Sequence, residues 1–220
     1  MDNEANRLDD IYAAQILQPL LSGGAYLPIT SSSMNLRSVA VILNDILINR
    51  RTNIIEFGGG ITTFLIARMI ELNNIPAKLY TVDEDLNWLK VIEETLQNES
   101  LDRHVELIHA PLCPTDLALN NINWYDTKQL DSCLSNIQFE CVIVDGPSAW
   151  RPEIALSRYP ALPYMANKLA PNFSLFLDDF NRDGEKQIIE NWENRFKIKF
   201  TEINNTLAGF FAGQFFNVGL

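Results

Sequence analysis

Three consecutive glycines follow a short apolar segment, and an acidic residue stands just before them. The run reads EFGGGITT over residues 56–63. Glycines let the backbone pass close to a ligand, and a helix beginning here offers unpaired N–H groups to an anionic group. The dinucleotide fingerprint GxGxxG requires a third glycine where this chain has Thr63. The pattern present is instead Glu56-x-Gly58-x-Gly60-x-Thr62, and an acid at that place can meet an ammonium group.

A second acidic position follows the next predicted strand. KLYTV over residues 78–82 leads into Asp83, Glu84 and Asp85. A carboxylate at the end of this strand can accept both hydroxyls of an adenosine ribose. The alternative is that the glycines merely end a strand and Asp83 caps the next helix. The two elements in this order favour a nucleoside ligand, and S-adenosylmethionine has the ammonium group that NAD lacks.

Three further carboxylates follow two later strands. Asp145 ends the apolar run FECVIV (139–144), and Asp178 and Asp179 end SLFL (174–177). Adjacent parallel strands bring such side chains to one edge of a sheet, where they repel one another unless a cation or shared protons neutralise them. Oxygen ligands suit Mg²⁺, Mn²⁺ or Ca²⁺ and not Zn²⁺. The alternative is that Asp145 touches only the cofactor and that Asp178 and Asp179 cap the following loop.

The elements that position these residues alternate between strand and helix, which predicts a parallel sheet covered on both faces. We expect a Rossmann-like, doubly wound α/β fold with about seven mostly parallel strands, an antiparallel last strand and helices on both faces. No clear period marks residues 113–136. Helices are predicted over 8–21, 31–48, 61–72, 86–97 and 184–196, and strands over 53–57, 78–82, 104–108, 139–144, 174–177, 197–203 and 209–216.

Composition narrows the class of protein. The chain has 220 residues, with 17 Lys and Arg against 28 Asp and Glu, a formal net charge of −11. This balance argues against nucleic acid or an anionic membrane surface as a partner. The polar start and the three cysteines without CxxC spacing suit a cytoplasmic protein. We expect one domain over 1–220, with N-terminal helices (1–50) covering the cofactor side of a Rossmann-like core (51–220).

These motifs resemble the class I S-adenosylmethionine-dependent methyltransferases, most closely small bacterial ones whose first motif reads E-F-G-S-G-x-S-T. The resemblance rests on residues 56–63, on YTVDED (80–85) with Trp88 behind it and on VDGP (144–147), and spans about residues 30–200. Gly59 stands where serine is usual. The resemblance implies that Glu56 reaches the methionine amino group through the glycine turn, that Asp83 holds the ribose and that Ala110 and Pro111 line the adenine. The implied cofactor-binding set is Glu56, Gly58, Gly59, Gly60, Thr62, Asp83, Glu84, Ala110, Pro111 and Asp145.

The later carboxylates resemble the magnesium site of catechol-type and macrolide-sugar O-methyltransferases. By that resemblance Asp145, Asp178 and Asp179 bind Mg²⁺ and the chain methylates a hydroxyl of a small molecule. Catechol-type enzymes have a lysine base where this chain has Ser148, so the catalytic candidates are the carboxylates of Asp145 and Asp179. A metal-free N-methyltransferase and a non-catalytic cofactor-binding module stay open as alternatives, and an NAD-dependent oxidoreductase is a weaker one. A homodimer is also compatible with the sequence.

Two other segments have two interpretations each. Residues 147–165 are either a substrate lid or a proline-kinked connection packed on the sheet. As a lid they would turn Trp150, Arg151, Arg158 and Tyr159 towards the pocket. Trp124 and Tyr125 either lie under the substrate or anchor the long loop. For His109, a structural role is favoured over that of a general base.

Overall fold

Strands and helices alternate along most of the chain. The computed structural model describes residues 2–220, with side chains from Leu8 onward. The described part contains helices α1 (Asp2–Leu21), α2 (Leu36–Ile48), α3 (Ile61–Asn73), α4 (Leu86–Asn98), α5 (Thr127–Leu134), α6 (Ala161–Met165) and α7 (Asp183–Phe196). Its strands are β1 (Asn53–Phe57), β2 (Lys78–Asp83), β3 (Val105–His109), β4 (Leu112–Cys113), β5 (Trp124–Tyr125), β6 (Phe139–Val144), β7 (Leu169–Leu177), β8 (Thr201–Glu202) and β9 (Ala208–Ala212).

The main sheet has seven strands in the order β3-β2-β1-β6-β7-β9-β8. Strand β9 runs antiparallel to both of its neighbours, whereas β3, β2, β1, β6 and β7 pair in parallel. In register, Phe57 lies beside Val82 and Val144, and Val144 lies beside Leu177. The carboxyl ends of four neighbouring strands therefore meet at one edge. The expected mostly parallel sheet with an antiparallel final strand is confirmed.

Side chains alternate between two apolar cores, one on each face of the sheet, as the two-residue strand period requires. Ile54 and Ile143 enter the core formed with α1 to α4. Ile55 and Val142 enter the core formed with α5, α6 and α7. Because the central strands are buried on both faces, the turns after them are the part of the sheet left for chemistry.

The structure corrects several predicted boundaries. Helix α1 begins at Asp2 and not at Leu8, and it ends at Leu21 as predicted. Helix α2 begins only at Leu36, since the side chain of Asn35 accepts the N–H of Arg37 at 2.8 Å and so caps the helix. Strand β7 starts at Leu169 and not at Ser174. The predicted strand over 197–203 shrinks to two residues, β8.

The segment without a clear period contains a small hairpin and a helix. Strands β4 and β5 pair antiparallel, and Asp126 caps α5 by accepting the N–H of Lys128 at 2.9 Å. Trp124 and Tyr125 are fully buried and pack on Phe57, at ring-centroid distances of 5.4 and 5.8 Å. They anchor the segment behind the sheet edge.

Among the described residues, no helix has the length and apolar character needed to cross a membrane.

Candidate functional site

Hydrogen bonds from three backbone N–H groups hold the glycine turn after β1 against the end of β2 and the start of α3. The N–H of Gly58 donates to Val82 O at 2.8 Å, that of Gly59 to Asp83 Oδ2 at 3.0 Å and that of Gly60 to Thr63 Oγ1 at 3.0 Å. Gly58 has a φ of +93°, and a Cβ there would lie 2.8 Å from the backbone nitrogen of Gly146. Glycine is required at this position because two strand-end loops touch.

Glu56 lies beneath this turn and is fully buried. Its carboxylate accepts hydrogen bonds from Thr62 at 2.6 Å, from Thr81 at 2.7 Å and from Thr63. Burial raises the pKa of Glu56 to about 7, against the lowering effect of the three threonine hydroxyls. Glu56 and Thr62 are therefore buried under the turn and do not line the cavity above it.

Asp83 is held from two sides by backbone donors. Its Oδ1 accepts the N–H of Asp85 at 2.8 Å, and its Oδ2 accepts that of Gly59. Burial raises the pKa of Asp83. The indole of Trp88 also binds the glycine turn, with Nε1 donating to Gly59 O at 2.7 Å. The carboxylate therefore has one fixed orientation before any ligand binds.

A cavity of about 350 Å³ opens above these groups; we call it the glycine-turn cavity. Asp83, Glu84 and the three glycines, all predicted to bind the cofactor, line this cavity, whereas Ala110 and Pro111 do not. His109 lies behind it, with Nε2 3.1 Å from the backbone oxygen of Glu84. The lining residues are Pro28, Thr30, Ser32, Ser33, Met34, Gly58, Gly59, Gly60, Ile61, Phe64, Asp83, Glu84, Asp85, Trp88, Asp145, Gly146, Pro147 and Ser148.

The structure brings the three predicted carboxylates together. One oxygen from each of Asp145, Asp178 and Asp179 lies within 4.8 Å of the others. Burial raises the pKa of Asp145 and of Asp178, and the negative charge of Asp179 raises both further. Asp178 Oδ1 is buried and has no hydrogen-bond partner among the described residues. These are the features of a site that favours a cation or a proton.

A buried arginine lies under the cluster. Arg158 is 4% exposed, with Nη1 3.0 Å from Asp179 Oδ2 and Nη2 3.2 Å from Asp145 Oδ1. Arg182, at the surface, also pairs with Asp179 at 2.8 Å. Arg158 lowers the pKa of both Asp145 and Asp178, in opposition to burial. Two guanidinium groups thus offset part of the negative charge.

A second cavity of about 470 Å³ lies over the carboxylates; we call it the carboxylate cavity. It shares Ser32, Ser33, Asp145 and Ser148 with the glycine-turn cavity, so the two adjoin. The indole of Trp150, 71% exposed, stands at its margin. Its lining is Ser31, Ser32, Ser33, Asp145, Ser148, Ala149, Trp150, Arg158, Asp178, Asp179 and Arg182.

Of the four residues that the lid interpretation turns towards the pocket, Trp150 and Arg158 line the carboxylate cavity, whereas Arg151 and Tyr159 do not. Trp150 borders the carboxylate cavity, and Arg151 stacks over its ring at 5.3 Å. Tyr159 is buried elsewhere, where its hydroxyl accepts from Arg195 at 3.0 Å and its backbone oxygen accepts from Trp192 at 2.8 Å.

The serines at 31–33 line the cavities, but the sequence pattern had assigned them to the start of a helix. The opening of α2 with leucine after a good capping asparagine is the signal that would have placed them in a loop.

Comparison of the structure with known structures identifies the architecture. A methyltransferase from Geobacter sulfurreducens matches with a TM-score of 0.61 at 12% identity, over 96% of this chain and 97% of that chain. The fold is that of the class I methyltransferases. The expected resemblance is therefore confirmed at the level of fold. No protein-family profile and no curated protein matches the sequence.

Several other matches with this fold were solved with a bound ligand. The O-methyltransferase TomG of Streptomyces achromogenes, involved in tomaymycin synthesis, is in complex with S-adenosylmethionine. It matches with a TM-score of 0.56 and 14% identity, over 91% of this chain and 90% of that chain. An O-methyltransferase from Bacillus cereus, in complex with S-adenosylhomocysteine, matches with a TM-score of 0.58 and 11% identity, over 93% and 90% of the two chains.

Proposed function

We propose that this protein transfers a methyl group from S-adenosylmethionine to a hydroxyl oxygen of a small polar molecule. The observation that carries the proposal is the junction of the two cavities. Asp145 and Ser148 line both the glycine-turn cavity and the carboxylate cavity. A donor bound over the glycine turn and an acceptor bound over the carboxylates would therefore meet at Asp145, where alignment of the reacting atoms lowers the barrier.

The donor side has the groups that a nucleoside with a charged amino-acid tail requires. Asp83 presents a preset carboxylate to two ribose hydroxyls, and Glu84 and Trp88 form the wall beside it. The glycines let the tail pass close to the backbone at Gly58. When bound, the cofactor supplies an electrophilic methyl group. The chain's own contribution is to orient it and to exclude water from the junction.

The acceptor side has the groups needed to receive a proton. The pKa values of Asp145 and Asp178 are raised by burial, and a carboxylate with a raised pKa is a stronger base towards a hydroxyl. Asp145, which lines both cavities, is our first candidate for this role, and Asp179 is a second because it also lines the carboxylate cavity. The serine hydroxyls and carboxylates around them favour a polar, hydroxyl-rich acceptor such as a sugar, and Trp150 offers one aromatic surface for its ring.

We also propose that a divalent cation such as Mg²⁺ assists at Asp145, Asp178 and Asp179. The unpartnered Asp178 Oδ1 and the crowding of three carboxylates fit such an ion. When bound, the ion would lower the pKa of an acceptor hydroxyl. Arg158 and Arg182 already offset part of the charge, so the carboxylates alone are the alternative base.

We also propose where the protein acts and how it assembles. We infer a small-molecule acceptor and a cytoplasmic location, in line with the net charge of −11.

We also propose that the protein forms a homodimer. Phe215 and Phe216, 49% and 70% exposed near the chain end, are candidate contacts for it. Sedimentation at two protein concentrations tests the assembly, and a single monomeric species at both would dispose of it.

The experiment that tests the function is calorimetric titration of S-adenosylhomocysteine into chelator-treated protein, repeated after Mg²⁺ is restored. We expect binding in both samples and a Mg²⁺ heat that Asp178→Asn removes. Absence of S-adenosylhomocysteine binding would refute the methyltransferase proposal, and a heat with NAD instead would favour the oxidoreductase. Binding without a Mg²⁺ heat would refute the metal alone.

Transfer itself is tested with methyl-labelled S-adenosylmethionine and two acceptor probes, methyl α-D-glucopyranoside and catechol. The polar lining favours label in the glucoside. Label in catechol alone would contradict the polar-acceptor proposal. Cofactor binding without transfer to glycoside, catechol or amine acceptors would identify a non-catalytic cofactor-binding module.

A further inference from the structure

Arg158 contacts more of the main chain than an ion pair requires. Its Nη2 donates to the backbone oxygen of Asp145 at 2.6 Å, and its Nη1 donates to that of Asp178 at 3.3 Å. Its Nε donates to the backbone oxygen of Pro147 at 3.3 Å. Every guanidinium nitrogen therefore holds a main-chain oxygen, and the three oxygens belong to the turns after β6 and β7.

The same group also binds the side chains at these strand ends. One carboxylate oxygen of Asp145 and one of Asp179 face the guanidinium, and Glu185 Oε1 lies 3.5 Å from Nη1. A planar guanidinium can bind main-chain and carboxylate oxygens of two loops at once, whereas the three donors of a lysine ammonium radiate from one atom. The contacts thus depend on arginine and not on positive charge alone.

We propose that Arg158 is the positioning residue of the site: it fixes residues 145–148, the wall shared by the two cavities, before any ligand binds. The proposal rests on the proposed function, because it takes the glycine-turn cavity as the S-adenosylmethionine site. Arg158 is 4% exposed and acts through Asp145 and Pro147, which line that cavity. It holds in place the surface that the donor and the acceptor touch.

The chain offers a matched control for a buried arginine. Arg51 is 3% exposed, pairs with Asp45 and donates to the backbone oxygen of Asn172 at 3.1 Å. It stands just before β1, at the opposite end of the strand from the glycine turn. Substitutions at Arg51 therefore disturb the fold in a similar way without touching residues 145–148.

The experiment measures the affinity for S-adenosylhomocysteine by calorimetry, together with the melting temperature, in Arg158→Lys, Arg158→Gln, Arg51→Lys and Arg51→Gln. We expect Arg158→Gln to weaken binding by about tenfold or more, because the wall loses its anchors. Arg158→Lys should give an intermediate loss. Arg51 variants with an equal or larger fall in melting temperature should bind within about twofold of the wild type.

A second measurement separates positioning from general destabilisation. In Arg158→Ala, low-millimolar guanidinium should restore part of the affinity, whereas equal sodium chloride should not. The proposal is overturned if folded Arg158 variants bind like the wild type, if the Arg51 variants lose as much affinity, or if neither Arg158→Lys nor Arg158→Gln folds. If the wild type itself binds no S-adenosylhomocysteine, the proposed function fails first, and this inference fails with it.

Discussion

The backbone N–H of Gly59 donates a hydrogen bond of 3.0 Å to Asp83 Oδ2, joining the turn after β1 to the end of β2. This bond orients the carboxylate that we assign to the ribose, and the N–H of Asp85 holds the other oxygen. Each carboxylate oxygen can accept more than one hydrogen bond. Asp83 can therefore bind a ligand without giving up its structural bonds.

Asp83→Asn should weaken the binding of S-adenosylhomocysteine by about 1.5–3 kcal/mol, since hydrogen bonds to a charged acceptor contribute that much. The amide retains the shape of the side chain but loses the charge and one acceptor. Calorimetric titration measures the change. Asp126→Asn, at the cap of α5, is the matched control and should bind like the wild type. Equal affinity in Asp83→Asn would contradict the ribose assignment.

Trp88 should report ligand binding by fluorescence. Of the four tryptophans, Trp88 alone among the described residues lines the glycine-turn cavity, and its Nε1 bonds Gly59 O. We expect S-adenosylhomocysteine to change the tryptophan emission, and Trp88→Phe to abolish that change. Affinity should also fall by about 0.5–1.5 kcal/mol, because the hydrogen bond is lost. Trp150→Phe is the control; loss of the signal there instead would contradict the assignment.

Gly146→Ala should destabilise the fold far more than Gly60→Ala. A Cβ on Gly146 would lie 2.5 Å from the Tyr125 hydroxyl and 2.8 Å from Gly58 Cα, whereas nothing lies within 4 Å of one on Gly60. We expect a loss of about 1–3 kcal/mol for Gly146→Ala, since backbone atoms cannot move aside. Gly60→Ala should stay within about 0.5 kcal/mol. Urea unfolding compares them, and equal losses would contradict this packing.

Glu56 should make stability depend on pH in the direction opposite to that of a salt-bridged acid. Burial raises its pKa to about 7 in the folded protein, from an ordinary value of 4.5. The folded state therefore holds the proton more tightly, and stability is lost as pH rises from about 4.5 through 7. The loss is on the order of 2–4 kcal/mol.

Urea unfolding of the wild type and Glu56→Gln between acidic and neutral pH measures this contribution. The variant should lose less stability over the range, because glutamine has no proton to release. Glu106→Gln, at an exposed position of β3, is the control and should follow the wild type. Parallel curves for wild type and Glu56→Gln would contradict the raised pKa.

The sequence by itself determined the fold class and the positions of the key turns. Apolar runs separated by glycine or acidic turns are short-range signals, and they predicted β1, β2 and β6. Parallel register then required Asp145 and Asp178 to meet, which they do. Gly58 was predictable for the same reason, because only glycine suits a positive φ where two backbones touch.

Only the tertiary structure decided which side chains face the cavities. Glu56 was expected to reach the ligand through the glycine turn, and the structure adds that three threonines from α3 and β2 enclose its carboxylate. The sequence left residues 147–165 as either a lid or a packed connection, and in the structure main-chain oxygens of two turns hold Arg158 beneath the carboxylates. Every residue has a main-chain oxygen, so the residue types and their spacing do not reveal which of these oxygens accepts a hydrogen bond. A contact of that kind exists only once the strands are in place.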